Sequence, residues 1–350
     1  MSKAKFTVSI FLALFLFAII NSSLGVLLTH YIDHYGLTES QQGLPASLLN
    51  VGCITALVTS MWVMGRVRKP RLMWIASAAT VALLIPLGLP PAFALYAALF
   101  LLLGITVGYT DTMSSSSIAD MYDGKNAVAV MCALHAVFGV AGIIAPLSFN
   151  ALINAGLPWN GIYVVLLCVG AAMLMYIIPV NASRARQTTV QSTAGQKITR
   201  EGIARFFKNR INLIIIISLF MYGLYLSAIT IWIERYISVG LGSAGYGALS
   251  LSLFWLGLTL SRLIVPFIRI GPVKFTRWSA LLASALLLTG IALNNALLMC
   301  VISALTGLCS GAVIPVMLHL VCRQSKANTM MATTHLRSCP YTSPKASARP

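Results

Sequence analysis

A chain of 350 residues that is 58% hydrophobic and 9% charged falls far short of the roughly 25% charged residues that cover a soluble domain. That balance excludes a soluble enzyme, a disordered protein and a secreted disulfide scaffold, and it suits a chain dissolved in lipid. The 24 Lys and Arg against 7 Asp and Glu give a net +17, which in an apolar polytopic chain reflects the basic bias of cytoplasmic loops rather than a nucleic-acid partner.

A bilayer core takes about 20 apolar residues per helix. Ten such runs follow one another, at 6–29, 43–64, 72–89, 92–114, 128–153, 159–180, 211–233, 246–268, 275–293 and 296–320. The first has Lys3 and Lys5 ahead of it, as a secretory signal would, but it runs on to Leu28 without a cleavage pattern and reads as an uncleaved helix. With the N-terminus in the cytoplasm and the chain alternating, the inner segments collect Lys3 and Lys5, then Arg66, Arg68, Lys69 and Arg71, then Lys125. They also take the basic residues of 184–210, Arg269, Lys274, Arg277 and the C-terminal stretch, with Arg262 in the inner half of the eighth run. Only Arg235 falls outside. The expected topology is therefore an all-α, multi-pass protein of a bacterial-type inner membrane, N-terminus cytoplasmic.

Six runs, 1–180, precede a polar linker at 181–210, and four follow it in 211–322. An offset of 205 residues carries the first run onto the seventh, the second onto the eighth and the fourth onto the tenth. Two parallel repeats are implied, a six-helix bundle and an incomplete four-helix bundle with two helices missing. The offset calls for a further helix near 333, where Thr333-Thr-His-Leu-Arg-Ser-Cys-Pro340 stands instead. The polar segment 323–350 reads either as a cytoplasmic tail or as an out-of-frame peptide, and the latter is the expectation.

Ionisable groups inside a span are costly and hence candidates for function. Asp111 follows the small-residue pair Gly104/Gly108, which lets a neighbouring helix approach closely. It is either a proton or cation site facing a central cavity or a structural acid near the inner end. His135 lies about two turns into the fifth run and could relay protons with Asp111, or be satisfied by a serine or backbone. Glu234 and Arg235, beside Trp232 and Tyr236, read as an interfacial anchor, with an outer gate as the alternative. Asn21, Tyr222, Tyr225 and Trp255 fall in mid-span. Rings and amides of this kind suit a neutral polar solute such as a sugar, or ordinary helix packing. Asn21 and Asn181 both begin Asn-x-Ser, but one is in a span and the other faces the cytoplasm, so no glycosylation is expected. The seven cysteines (53, 132, 168, 300, 309, 322, 339) are scattered, with no ligand spacing. Without a nucleotide loop, a His-Glu metal motif or a nucleophile elbow, no metal, cofactor or enzymatic activity is expected, and an ATP-driven pump is set aside.

Four stretches resemble the major facilitator superfamily, and within it the fucose-permease-like sugar carriers. Gly108-Tyr-Thr-Asp111 resembles the fourth-helix Gly-x-x-Asp-x-x-x-Asn, with Ser115 in place of Asn. Leu134-His135-Ala-Val-Phe-Gly139, followed by Gly142 and Pro146, resembles the fifth-helix Leu-His-Ala-x-Phe-Gly pattern. Ser252-Leu-Phe-Trp-Leu-Gly-Leu-Thr-Leu-Ser-Arg262 resembles the eighth-helix Phe-Trp-x-Gly-x-x-x-Gly-Arg, and Gly307 to Pro315 the tenth-helix Gly-x-x-x-Ala-x-x-x-Pro. The loop Gly65-Arg-Val-Arg-Lys-Pro-Arg71 is a shortened version of the superfamily's inner loop without its acid. The resemblance implies alternating access around a midplane site, lined by spans one, four, seven and ten, with Asn21, Asp111, Tyr222 and Tyr225 towards the solute. It also implies a gating role for Arg66, Arg68, Lys69 and Arg262. The expected function is proton-coupled movement of a small sugar-like solute by a monomer in the bilayer. The alternatives are a drug or metabolite exporter of the same superfamily, or a truncated and inactive carrier.

Overall fold

The computed structural model describes residues 2–63, 66–122, 124–187, 208–265, 271–314 and 316–317. Most of the expected linker, Arg269, Pro315 and the segment 323–350 lie outside the described residues. Ten long helices are described: α1 (Lys3–Tyr35), α2 (Leu44–Val63), α3 (Lys69–Gly88), α4 (Phe93–Met121), α5 (Gly124–Asn154), α6 (Gly161–Gln187), α7 (Arg210–Arg235), α8 (Ala244–Ile264), α9 (Pro272–Leu293) and α10 (Ala296–Ser310). Nine helical segments among the described residues are long and apolar enough to cross a membrane, and α10 is a shorter apolar helix. The punctuation is local: Pro70 and Pro272 open α3 and α9, Asn295 caps α10 through the Leu298 amide, and Gly36 closes α1 in the left-handed region at φ 60°.

Two helices outrun their apolar stretches, and both extensions place polar groups. α1 runs on to Tyr35, so that its aromatic end reaches the α4 and α6 ends. α4 runs on to Met121, carrying Asp120 to the start of α3, where Lys69 pairs with it at 2.5 Å.

α1 is the central rod. It packs against α4, α5 and α6 of its own half and against α7 of the other. The halves also meet where α5 packs on α8. Within each half a glycine contact sets the closest approach. A Cβ on Gly104 would stand 2.8 Å from the Leu49 carbonyl carbon and 3.0 Å from the Gly52 Cα, and one on Gly108 would stand 2.9 Å from the Cys53 Cα. The small-residue pair therefore receives α2, with Gly52 answering it. The second half repeats the device. A Cβ on Gly257 of α8 would reach the Leu308 amide at 2.7 Å, and one on Gly311 the Leu258 Cα at 2.7 Å. Gly52 and Gly257 are separated by the offset of 205 that relates the two sets of spans.

The ends of the bundle differ in their polar chemistry. At one end Lys3 lies over the Tyr122 ring, Thr7 bonds the Tyr122 hydroxyl, Tyr176 donates to the Lys5 carbonyl and Arg68 to the Ala185 carbonyl. The N-terminus, the α2–α3 connection and the ends of α4 and α6 therefore share a face. The opposite end is an aromatic plug in which Tyr35, Phe93, Tyr96, Trp159 and Tyr163 pack ring against ring, tilted or edge-on. There Tyr35 donates to the Pro91 carbonyl and Asn160 to that of Gly88. Most buried Ser and Thr hydroxyls, such as those of Ser22, Ser77 and Thr80, bond carbonyls within their own helix. They satisfy themselves and leave no chemistry over.

Candidate functional site

The decisive geometry is how the apolar core divides. At the aromatic end one continuous cluster joins both halves: Leu24, Leu28, Tyr31, Tyr96 and Phe100 pack with Ile229, Ile233, Ile237, Leu251 and Phe254. At the basic end the core splits. One cluster holds Phe6, Ile10, Leu14, Met73, Met113, Leu134 and Ile177 of the first half, and a separate one holds Ile215, Tyr222, Val313 and Met317 of the second. The halves are thus sealed together at one end and individually packed at the other.

The seal rests on α1 against α7. A Cβ on Gly25 would run into the Thr230 carbonyl oxygen, which is why glycine stands there. One turn further, Glu234 is 8% exposed, accepts from the Ser238 hydroxyl at 2.9 Å and faces Thr29 of α1. The anchor reading of Glu234 is thereby corrected: its carboxyl lies between two helices rather than at a lipid interface. Asn181, at the start of the expected linker, lies within α6. It is fully buried and donates to the Ser9 hydroxyl and the Ile177 carbonyl, tying α6 to α1.

The expected site residues fall into two groups. Asp111 sits one turn beyond Gly108 on α4, partly exposed, with Cys53 of α2 as its electrostatic neighbour. Among the described residues the only ion pair is Lys69–Asp120, so Asp111 and His135 do not form the expected pair. His135 belongs to the second group, beside Arg262. Arg262 of α8 donates from Nη1 to the His135 carbonyl and from Nε to the Gly311 carbonyl, each at 3.1 Å. It thus clamps α5 of one half to α10 of the other. Tyr222 and Tyr225 complete this group, their rings 5.9 Å apart, with the Tyr225 hydroxyl donating to Ser310 of α10 at 3.1 Å. Asn21 is half-buried near the middle of α1. Trp255 is 3% exposed and lies between the halves, its ring 5.3 Å from Phe138 and against Gly142. In this conformation it packs the α5–α8 contact instead of facing open space.

The gate residues are also placed. The acid absent from the Gly65–Arg71 loop is supplied by Asp120, which sequence reasoning missed, and Ser116 accepts a second bond from the same Lys69 ammonium at 2.6 Å. The available signal was an acid at the end of the fourth span, on the same face as the loop. Arg66 and Arg68 line a cavity at the basic end.

Two outcomes follow from these contacts. Arg262→Gln leaves two carbonyls short of a charged donor and should cost about 2 kcal/mol in a denaturation series, with Arg262→Lys recovering little because an ammonium cannot fork to both. Tyr225→Phe loses a neutral bond at a half-exposed position and should cost about 1 kcal/mol or less.

A family model of the Major Facilitator Superfamily matches residues 10–334. The chain belongs to the Major Facilitator Superfamily. It is thus a multi-pass membrane protein of a transporter family, not of an enzyme family. Among curated relatives it is 21% identical over 177 residues to the protein TsgA homolog of Erwinia tasmaniensis, covering 51% of this chain and 44% of that protein. It is 23% identical over 153 residues to protein TsgA of an Escherichia coli O17:K52:H18 strain, covering 44% of this chain and 37% of that one. The matched stretch thus spans under half the length of these curated relatives. Among solved structures, a D-xylose-proton symporter superimposes with TM-score 0.68 at 13% identity, over 90% of this chain and 82% of that one. A bacterial homologue of the human drug peptide transporters PepT1 and PepT2 superimposes with TM-score 0.73 at 11% identity, over 93% of this chain and 85% of that one. These likenesses are of fold.

Proposed function

We propose that the chain is a secondary carrier that moves a small polar, sugar-like solute by alternating access, coupled to protons, as a monomer in a bacterial inner membrane. The observation that carries this reading is the divided core. Two halves joined at one end and separately packed at the other are one of the two states that a rocking-bundle carrier must visit. The N-terminal end is assigned to the cytoplasm because the basic residues gather there while Arg235 stands alone at the other end. The α1–α7 contact around Gly25, Thr230 and Glu234 is then the closed outer gate, and Arg262 is the remaining bridge between the halves at the α5–α8 contact.

Solute binding is assigned to Asn21, Tyr222 and Tyr225, where a ring face and hydroxyl or amide groups suit a polyol. Trp255 joins them when the α5–α8 contact loosens, and Asp111 is the proton site. The D-xylose-proton symporter among the structural neighbours supports the solute class and the coupling by analogy of fold. The test is a solute panel, pentoses and hexoses against dipeptides and cationic drugs, read first as thermal stabilisation of the purified chain and then as uptake into proteoliposomes under a pH gradient. Stabilisation and gradient-driven uptake of a sugar support the reading. Stabilisation by peptides or drugs alone, or uptake indifferent to the gradient, overturns it.

A further inference from the structure

At the basic end, outside the space between the halves, a cavity of about 790 Å³ is lined by Arg66, Arg68, Arg71 and Arg186, with Trp74 and Ile75 below them. Three elements build it: the α2–α3 connection brings Arg66 and Arg68, the first turn of α3 brings Arg71, and the last turn of α6 brings Arg186. Arg68 is held by the Ala185 carbonyl at 2.7 Å, which locks α3 to α6 across the cavity. No acid whose position is described lines it, and Asp120, at the same end of the bundle, is engaged by Lys69. Four arginines therefore line it, and among the described residues no protein anion neutralises them. That arrangement offers a charge-complementary seat to an anion from outside. The part that lies deeper along α3 is apolar and open to the surroundings: Ile75 is 40% exposed, and the Trp74 ring is half-buried beside it.

We propose that this cavity is a binding site for the headgroup of an anionic phospholipid. The guanidinium fork matches phosphate oxygens in pairs, while Trp74 and Ile75 take the glycerol and the first acyl carbons. A soluble anion would use the arginines and leave the apolar floor unfilled, so the combination selects a lipid. Basic pockets between helices on the cytoplasmic side are suited to such headgroups. Naming the leaflet as the inner one rests on the orientation proposed above, whereas the site itself does not. A lipid seated here bridges α3 and α6 from outside and stiffens the first half as a unit.

The experiment uses the full chain in phosphatidylcholine nanodiscs, doped with brominated phosphatidylglycerol or with brominated phosphatidylcholine. Quenching at Trp74 is isolated by subtraction of Trp74→Phe. Half-quenching should require about tenfold less of the anionic than of the zwitterionic lipid, since the arginines attract the charged headgroup. The combined variant Arg66→Gln, Arg71→Gln and Arg186→Gln should erase that contrast, whereas Lys274→Gln with Arg277→Gln, at the same end but away from the cavity, should leave it within about twofold. Should the triple variant fail to fold, the contrast in the unmodified chain still decides. No preference for the anionic lipid, an equal loss in the control variant, or full displacement by excess inorganic phosphate overturns the proposal. The last outcome would reassign the site to a soluble anion. No readout here depends on transport, so failure of the carrier reading leaves the result intact.

Discussion

Gly104→Leu should strip the first half of its fold more severely than any other single change argued here. The position has no room to give. A Cβ there already presses on the Leu49 backbone and the Gly52 Cα, and what it meets is helix backbone and not the end of a flexible side chain. Overpacking a built contact costs about 1–3 kcal/mol when side chains can shift. Here α2 and α4 must move apart along their whole length, so about 3 kcal/mol or more is expected, read as loss of the monodisperse peak in detergent and a fall in Tm. Gly104→Ala should show a milder form of the same loss. Gly223→Leu is the control, because nothing lies within 4 Å of a Cβ at that site and replacing glycine mid-helix recovers up to about 1 kcal/mol of propensity. The same contrast should recur in the second half at Gly257, whose Cβ would meet the Ala304 carbonyl and the Leu308 amide. If Gly104→Leu were as mild as Gly223→Leu, the close approach of α2 and α4 would be wrong.

The spans, their order and the basic end are legible from composition because lipid imposes one rule on every residue of a helix at once: it must be apolar for about 20 positions. Close approach was legible for the same reason of economy, since Gly104 and Gly108 on one face have no other use than to admit a neighbour. What could not be read is which partner each polar group finds. Glu234 sits in sequence among Trp232, Tyr236 and Arg235, which resembles an interface belt, yet its burial depends on Thr29 arriving from α1, some 200 positions earlier. Arg262 announces itself as a charge in a span, but its partners are the His135 and Gly311 carbonyls, and backbone acceptors carry no sequence signature. Asp120 escaped notice because helix α4 outlasts its apolar run, and hydropathy marks where lipid ends, not where the helix does. Trp255 looked like a ring for a solute because mid-span aromatics serve both uses. Gly142 and Phe138, one turn apart on α5, decide for packing in this state.

Asp111→Asn should separate solute binding from solute accumulation. Asp111 is a carboxyl inside a span, partly exposed, and no hydrogen bond or ion pair reaches it among the described residues. A structural acid would be expected to show a donor holding it, because an unpaired carboxylate in the membrane interior is costly, whereas a proton site must stay accessible and unclamped. The group that could compete for its proton, His135, lies instead beside Arg262 at the α5–α8 contact. Under the proposed carrier reading, the proton is assigned to Asp111. With one pH unit across the vesicle membrane and one proton per solute, the unmodified chain should accumulate solute about tenfold, since a factor of ten is about 1.4 kcal/mol. Asn has nearly the same shape and carries no exchangeable charge, so Asp111→Asn should bring the accumulation ratio to about one while leaving stabilisation by the solute and its exchange at equal pH within about twofold. Loss of exchange along with accumulation would make Asp111 a structural or solute-binding residue. Accumulation preserved in Asp111→Asn would place the proton elsewhere, with the buried Glu234 at the α1–α7 seal as the carboxyl left to carry it.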